Sequence, residues 1–268
     1  MSKKKIAAKV LSQKCLATGI YDMWLETELA KDAGAGQFVG VYPNDKSTLL
    51  PRPISICEVD KEKSAIRLVY RIAGKGTAEF STAVAGDELQ IIGILGNGYD
   101  LSALKGKKVL VMGGGIGVPP MLELSKELFL QNENLPEAEK SEIIICVGYR
   151  DSNTFLKEDL EKYGKVVIAS EDGSVGTKGN VMNAIAAEGI TADVICSCGP
   201  MPMLRAIKAF AAQQNIPAYI SLEEHMACGV GACLGCVVKT KEIDHHSYVN
   251  NARICTDGPV FLAEDVEI

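Results

Sequence analysis

Near the C-terminus of this 268-residue chain, Cys228, Cys233 and Cys236 are spaced C-x4-C-x2-C, and Cys255 follows. Two iron ions bridged by sulfide are soft and are best held by four thiolates, two on each iron. The spacing is the plant-type pattern for a [2Fe–2S] cluster. Gly229, Gly231 and Gly235 lie between and beside the cysteines, so the loop can wrap closely and turn backbone N–H groups toward the sulfurs. Two other readings use the same residues. A structural zinc site could take these thiols, with His245 and His246 in the insert before Cys255, although zinc usually takes two C-x2-C knuckles or Cys with His. Disulfides are the other alternative. Nine cysteines without a secretory signal instead imply a reducing, cytoplasmic setting, in which Cys15, Cys57, Cys146 and Cys196 read as small core residues.

Four further stretches could bind a ligand. Gly113-Gly114-Gly115-Ile116-Gly117 follows an apolar run and precedes a helical pattern. A glycine-rich turn there lets a pyrophosphate approach backbone amides at the positive end of a helix. It is not a strict G-x-G-x-x-G, and no acid falls about 20 residues on. Cys198-Gly199-Pro200 ends a second apolar run and would share the same sheet edge, where ligands of open α/β sheets bind. Arg52-Pro53-Ile54-Ser55 offers a guanidinium fork and a hydroxyl for phosphate. Gly74-Lys75-Gly76-Thr77 has the composition of a phosphate-cradling turn. Taken singly, the last two read equally as ordinary β-turns.

The elements that must position these residues change character along the chain. Up to about residue 100, short strands alternate with Gly, Pro and Asp, as in a small antiparallel barrel or sandwich. Ile66, Leu68, Tyr70 and Ile72 alternate with Arg67, Val69 and Arg71, predicting a half-buried strand. From about residue 101, continuous apolar runs at 108–112, 143–147, 166–169, 194–197 and 218–222 alternate with helical stretches. That rhythm predicts a parallel sheet covered on both faces. Pro119 or Pro120 and Pro200 suit first-turn helix positions. The α/β rhythm stops at Glu223. Three modules are expected: 1–100, 101–222 and 223–268.

Composition narrows the class. A net charge of −6 argues against a nucleic-acid binder, and the one basic run, Lys3-Lys4-Lys5, reads as a solvated terminus rather than a signal peptide. No stretch approaches a transmembrane span.

Together, Arg52–Ser55, Gly74–Thr77, Gly113–Gly117 and Cys198–Pro200 resemble, in order, the ferredoxin–NADP reductase superfamily. The terminal stretch 222–237 resembles more closely the electron-transfer subunits of dihydroorotate dehydrogenase B. The resemblance implies an FAD-binding β-barrel, a doubly wound NAD-binding α/β domain and a small C-terminal [2Fe–2S] domain. It implies that Arg52 meets the FAD pyrophosphate and that Ser55 lies near the isoalloxazine, with Pro53 and Ile54 between them. Ile54 stands where plant-type reductases carry Tyr, so apolar packing replaces an aromatic stack. Gly74, Lys75, Gly76 and Thr77 match the second phosphate-side motif. Gly113, Gly114, Gly115, Ile116, Gly117, Cys198, Gly199 and Pro200 match the NAD-side turns. Cys228, Cys233, Cys236 and Cys255 match the cluster ligands. The partner implied is an FMN-containing dihydroorotate dehydrogenase catalytic subunit in a two-plus-two heterotetramer serving pyrimidine biosynthesis. No Arg cluster for a 2′-phosphate is evident in the sequence, although Arg150, after the second strand, could serve. A flavin is the usual converter between a two-electron hydride donor and a one-electron cluster.

Overall fold

The computed structural model of the protein describes residues 3–243 and 248–268. Six antiparallel strands come first: β1 (Lys4–Ala17), β2 (Ile20–Glu26), β3 (Phe38–Tyr42), β4 (Arg52–Asp60), β5 (Ala65–Arg71) and β6 (Glu88–Leu95). They close into a barrel in the order β1-β2-β5-β4-β3-β6. Register shifts in β1 near Val10 and Cys15 bend this long strand around the barrel. The interior is filled by alternate residues such as Leu25, Val41, Ile56, Ile66, Leu68 and Ile91. A short helix, α1 (Lys75–Phe80), joins β5 to β6 and drives Phe80 into this core.

The second layer is built on β7 (Lys108–Gly114), α2 (Pro119–Glu133), β8 (Glu142–Tyr149), α3 (Lys157–Leu160), β9 (Lys165–Ser170), β10 (Thr177–Lys178), α4 (Val181–Ala187), β11 (Val194–Cys198), α5 (Met201–Gln214) and β12 (Ala218–Ser221). Its strands are continuous apolar runs because helices cover both faces. Pro119 opens α2, where its missing N–H costs nothing. Asn215, left-handed at φ 53°, closes α5 by donating its N–H to Ala211 and Ala212. Three small strands complete the chain: β13 (Val237–Lys239), β14 (Asn251–Arg253) and β15 (Val260–Leu262). β13 and β14 pair with each other, whereas β15 returns to the large sheet, whose order is β10-β9-β8-β7-β11-β12-β15. Among the described residues, no helix is long and apolar enough to cross a membrane.

Four sequence expectations change. β5 is buried on both faces from Ala65 to Tyr70, not on one. The α/β layer covers its outer face: Val69 packs with Val118 and Met121, and Arg67 is enclosed with four oxygen contacts. Arg67 bonds Asp22 through Nε and Nη2 (both 2.9 Å), and Glu58 (3.1 Å) and Asp159 (3.0 Å) through Nη1. Second, Cys15 is exposed, on the part of β1 beyond the barrel interior, whereas Cys57, Cys146 and Cys196 are buried as expected. Third, Pro200 stands one residue before α5 with extended ψ of 145°, as its cap. Fourth, Gly74–Thr77 is the start of α1 rather than a β-turn.

The barrel docks on the α/β layer mainly through α2 against β4. Glu123 accepts from the Val59 N–H (2.9 Å), Lys126 donates to the Val59 carbonyl (2.6 Å), and Glu127 accepts from the Ala35 N–H (3.3 Å). The Arg67–Asp159 bridge and the Tyr99 hydroxyl on the Ser197 carbonyl (3.3 Å) add to this seam. The seam fixes where the two glycine-rich turns face the barrel.

Candidate functional site

In the large sheet the connections run outward from β7 to β8, β9 and β10 on one side, and to β11 and β12 on the other. The strand order therefore reverses between β7 and β11, where a crevice opens at the C-terminal ends of the strands. Gly113–Gly117 and Cys198–Pro200 are the two turns flanking that crevice. They interlock closely: a Cβ on Gly117 would stand 2.4 Å from the Cys198 carbonyl oxygen and 2.6 Å from the Gly199 Cα. Only glycine permits that approach. Gly115, at φ +54°, faces open space.

The crevice is a cleft of about 310 Å³ lined by Gly114, Gly115, Ile116, Gly117, Gly199 and Pro200. Gly113 and Cys198 do not line it. Gly113 packs on Val118, and Cys198 is buried behind the turn, where burial pushes its thiol up. The cleft includes Arg150, named above for a 2′-phosphate, and adds Glu171, Tyr149 and Asn180, which sequence reasoning left aside. Arg150 follows β8 and Glu171 follows β9, and both line the cleft beside Tyr149 and Asn180. Glu171 lies too far along the chain from Gly117 for the usual fingerprint interval to find it. The open turn, with α2 starting behind it, fits a dinucleotide pyrophosphate.

A second cleft, about 460 Å³, lies between barrel and sheet. Arg52, Pro53, Ile54, Ser55 and Thr77 line it, with Val69, Tyr70, Leu222, His225 and Met226 opposite or beside them. Gly74, Lys75 and Gly76 do not line it. Gly76 instead lets the Arg52 guanidinium lie across α1, since a Cβ there would stand 2.8 Å from Arg52 Nε. Arg52 is anchored from below, donating to the Leu50 carbonyl at 2.6 Å. A charged, hydroxyl-bearing end and an apolar flank fit a flavin dinucleotide, whose ring is flat and whose phosphates are anionic. Arg71, Ile116 and Glu223 line both clefts, so the two are contiguous. Glu223 is exposed at this junction, and desolvation by the surrounding cleft walls, opposed by the Arg71 guanidinium, pushes its carboxyl above the usual range.

The cysteine loop comes against the same cleft, since Met226, Ile254 and Pro259 are among its walls. The four thiols stand as two neighbouring pairs, Cys228 beside Cys233 and Cys236 beside Cys255. Two-by-two pairing is what two irons require, whereas a single zinc needs its ligands around one centre. Among the described residues, no three His, Cys, Asp or Glu side chains converge on a single metal position. His245 and His246 lie outside the described residues. Backbone N–H groups of Val230 and Cys233 donate to Cys228 Sγ, and that of Gly235 to Cys233 Sγ, each at 3.4 Å. Burial works to raise the Cys228 thiol, but those N–H bonds and the Cys233 contact outweigh it and hold it at about 6. Cys255 goes the other way, pushed up to about 11 by burial and by the adjacent Cys236. Sulfurs cradled by backbone amides suit an iron–sulfur cluster.

Cys255, separated from the other three by the insert, is held by the barrel. Its carbonyl accepts from the Gly96 N–H (3.2 Å), and Asn97 donates through N–H to Gly258 (2.6 Å) and through Nδ2 to Thr256 (3.0 Å) and Asp257 (3.2 Å). Of the basic run, Lys4 and Lys5 are exposed, as a solvated terminus would be, whereas Lys3 is not free in solvent. Lys4 and Lys5 are in β1, and the Lys3 ammonium donates to the cysteine loop. β1 runs beside β6, whose end carries Gly96, and this brings Lys3 there.

Comparison with known proteins agrees with this geometry. The family model described as the iron–sulfur cluster binding domain of dihydroorotate dehydrogenase B matches residues 223–267. Among solved structures, the NADH-dependent reduced ferredoxin–NADP oxidoreductase superposes with a TM-score of 0.83 at 24% identity, over 97% of this chain and 89% of that one. A ferredoxin NADP+ reductase from Neisseria gonorrhoeae with bound FAD and NADP gives 0.64 at 14%, over 80% and 92%. At these identities the likeness concerns the fold. The electron transfer subunit of dihydroorotate dehydrogenase B (NAD(+)) from Lysinibacillus sphaericus is 40% identical over 94% of this chain and 95% of its own. The same subunit from Caldanaerobacter subterraneus is 40% identical over 98% of both chains. With a barrel, a switch-point crevice and paired cysteines in one chain, and with identity at this level over nearly its whole length, this protein belongs to the dihydroorotate dehydrogenase B electron transfer subunit family.

Proposed function

We propose that this chain passes electrons between NAD(H) and an FMN-containing dihydroorotate dehydrogenase catalytic subunit, through FAD and a [2Fe–2S] cluster, with dihydroorotate itself handled on the partner. The observation that carries the reading is the junction at which Arg71, Ile116 and Glu223 line both clefts, with the cysteine loop forming a further wall of one of them. Bound there, the flavin supplies the conversion between a two-electron hydride and single electrons.

The chain's own residues bind and orient. Arg52 and Thr77 hold the flavin phosphates, while Ile54 and Met226 give the ring an apolar seat that excludes water. Ser55 offers a hydroxyl beside it. Gly114–Gly117 and Gly199–Pro200 leave room for the nicotinamide dinucleotide, and Glu171 accepts from a ribose hydroxyl while repelling a 2′-phosphate, favouring NAD over NADP. Cys228, Cys233, Cys236 and Cys255 hold the cluster. The division 1–100, 101–222 and 223–268 assigns one cofactor to each module, with β15 tying the last module back to the second. Val230 (47% exposed) and Leu234 (59%) project from the cysteine loop, which supports a partner covering that loop, in a heterotetramer with two copies of each subunit. Thiol ligands that must stay reduced support a cytoplasmic setting.

The test is an anaerobic visible spectrum of purified protein with metal analysis and NADH titration. Two irons per flavin, and absorption of both groups bleached by NADH, is the expected outcome. Zinc in place of iron, or no flavin, would refute the proposal.

A further inference from the structure

Lys3 immediately precedes β1 and is half-buried. Its ammonium donates to the carbonyl oxygens of Gly229 (3.1 Å) and Cys255 (2.9 Å). These carbonyls belong to opposite halves of the cysteine set, since Gly229 follows Cys228 and Cys255 pairs with Cys236. The peptide unit that ends in the Gly229 oxygen begins, on its other side, with the Val230 N–H, and that N–H donates to Cys228 Sγ at 3.4 Å. Drawing electron density onto a peptide oxygen makes the N–H of the same peptide a stronger donor. Lys3 therefore acts on the Cys228 sulfur through a single peptide bond. It also holds the Cys255 carbonyl together with the Gly96 N–H, so β1 and β6 both grip the fourth cysteine.

We propose that Lys3 is a positioning residue for the cluster, tying the start of the barrel to both cysteine pairs and raising the cluster's reduction potential. Reduction adds an electron to the cluster, so a nearby cation and a strengthened N–H donor favour the reduced form. The effect keeps the cluster matched to the flavin on which the barrel is built. The inference rests on the reading of Cys228, Cys233, Cys236 and Cys255 as ligands of a [2Fe–2S] cluster.

The test is a redox titration of the full chain with its flavin and cluster, followed by electron paramagnetic resonance, for wild type, Lys3→Gln and Lys3→Arg. Lys3→Gln removes the charge but keeps an N–H donor, and Lys3→Arg keeps both. The charge-free variant is expected to lower the reduced-to-oxidised ratio of the cluster at fixed poise about tenfold, about 59 mV for one electron. Lys3→Arg holds the wild-type value, and the flavin midpoint in the same samples stays put. A Lys3→Gln cluster at wild-type potential, or a Lys3→Arg shift as large as that of Lys3→Gln, overturns the proposal. If Lys3→Gln assembles no cluster, Lys3→Arg decides: a cluster at wild-type potential upholds it, and a shifted or missing one overturns it. A wild-type protein without a two-iron signal would sink the ligand assignment itself, an outcome distinct from any difference among the variants.

Discussion

Replacing Gly117 with alanine should cost this protein its pyridine nucleotide while leaving its flavin and cluster in place. The added Cβ would stand 2.4 Å from the Cys198 oxygen, 2.5 Å from its carbonyl carbon and 2.6 Å from the Gly199 Cα, all backbone atoms that no rotamer change can move. Reaching ordinary contact means parting the two turns by about 1 Å, because van der Waals contact begins near 3.4 Å. Overpacking of this kind costs about 1–3 kcal/mol in stability. A 1 Å displacement at a binding turn can reduce efficiency by about 100-fold. The expected result is a 10- to 100-fold drop in kcat/KM for NADH, about 1.4–2.7 kcal/mol, in NADH-driven dye reduction. FAD and iron content should equal wild type. Gly189→Ala is the control: it lies in the same layer at φ +61° with nothing within 4 Å of its Cβ, so it carries backbone strain without a clash. If Gly117→Ala kept NADH kinetics within twofold of wild type, the interlocked turns would not be the nucleotide site.

Three further outcomes follow from the same structure. Cys236→Ser should remove the cluster signal while leaving bound FAD and NADH-driven dye reduction largely intact, and loss of flavin reduction as well would contradict the modular reading. Arg67→Met removes the bidentate partner of Asp22, which is 1% exposed and keeps only Lys14 at 3.4 Å, while Glu58 and Asp159 retain Lys126 and Lys162; it should destabilise by about 3 kcal/mol, lowering Tm by roughly 10 °C. A Tm within 2 °C of wild type would show the network to be dispensable (roughly the shift expected for less than 1 kcal/mol). Burial, opposed by Lys126 and the Val59 N–H, raises the Glu123 carboxyl from 4.5 to about 7. The folded state then holds this proton more tightly than the unfolded chain, so the contribution is full below 4.5 and fades as pH rises to about 7. Glu123→Gln should flatten the decline in Tm across that window, and an unchanged slope would refute the assignment.

Much of the site was legible because each chemistry needs particular residue types at short range. Thiolate spacing, a glycine turn between strand and helix, and an Arg-x-x-Ser pair are local patterns, and they survive as local structure. The apolar rhythm likewise carried the barrel and the covered parallel sheet, since strand and helix periods are written residue by residue. Elsewhere, neighbours distant in sequence decided the outcome. β5 alternates like a half-exposed strand, yet docking of the α/β layer buries Val69 and draws Arg67 into a cage of three carboxylates. Gly113 and Cys198 belong to the right turns but face away from the cleft, because only side-chain direction in the folded sheet separates lining residues from supporting ones. Glu171 and Arg150 come together at the end of two strands whose adjacency no spacing rule encodes. Lys3 shows the same division at the far end of the chain. Its charge is plain in the sequence, but only barrel closure, pairing β1 with β6, carries it across more than 200 residues to the cysteine loop.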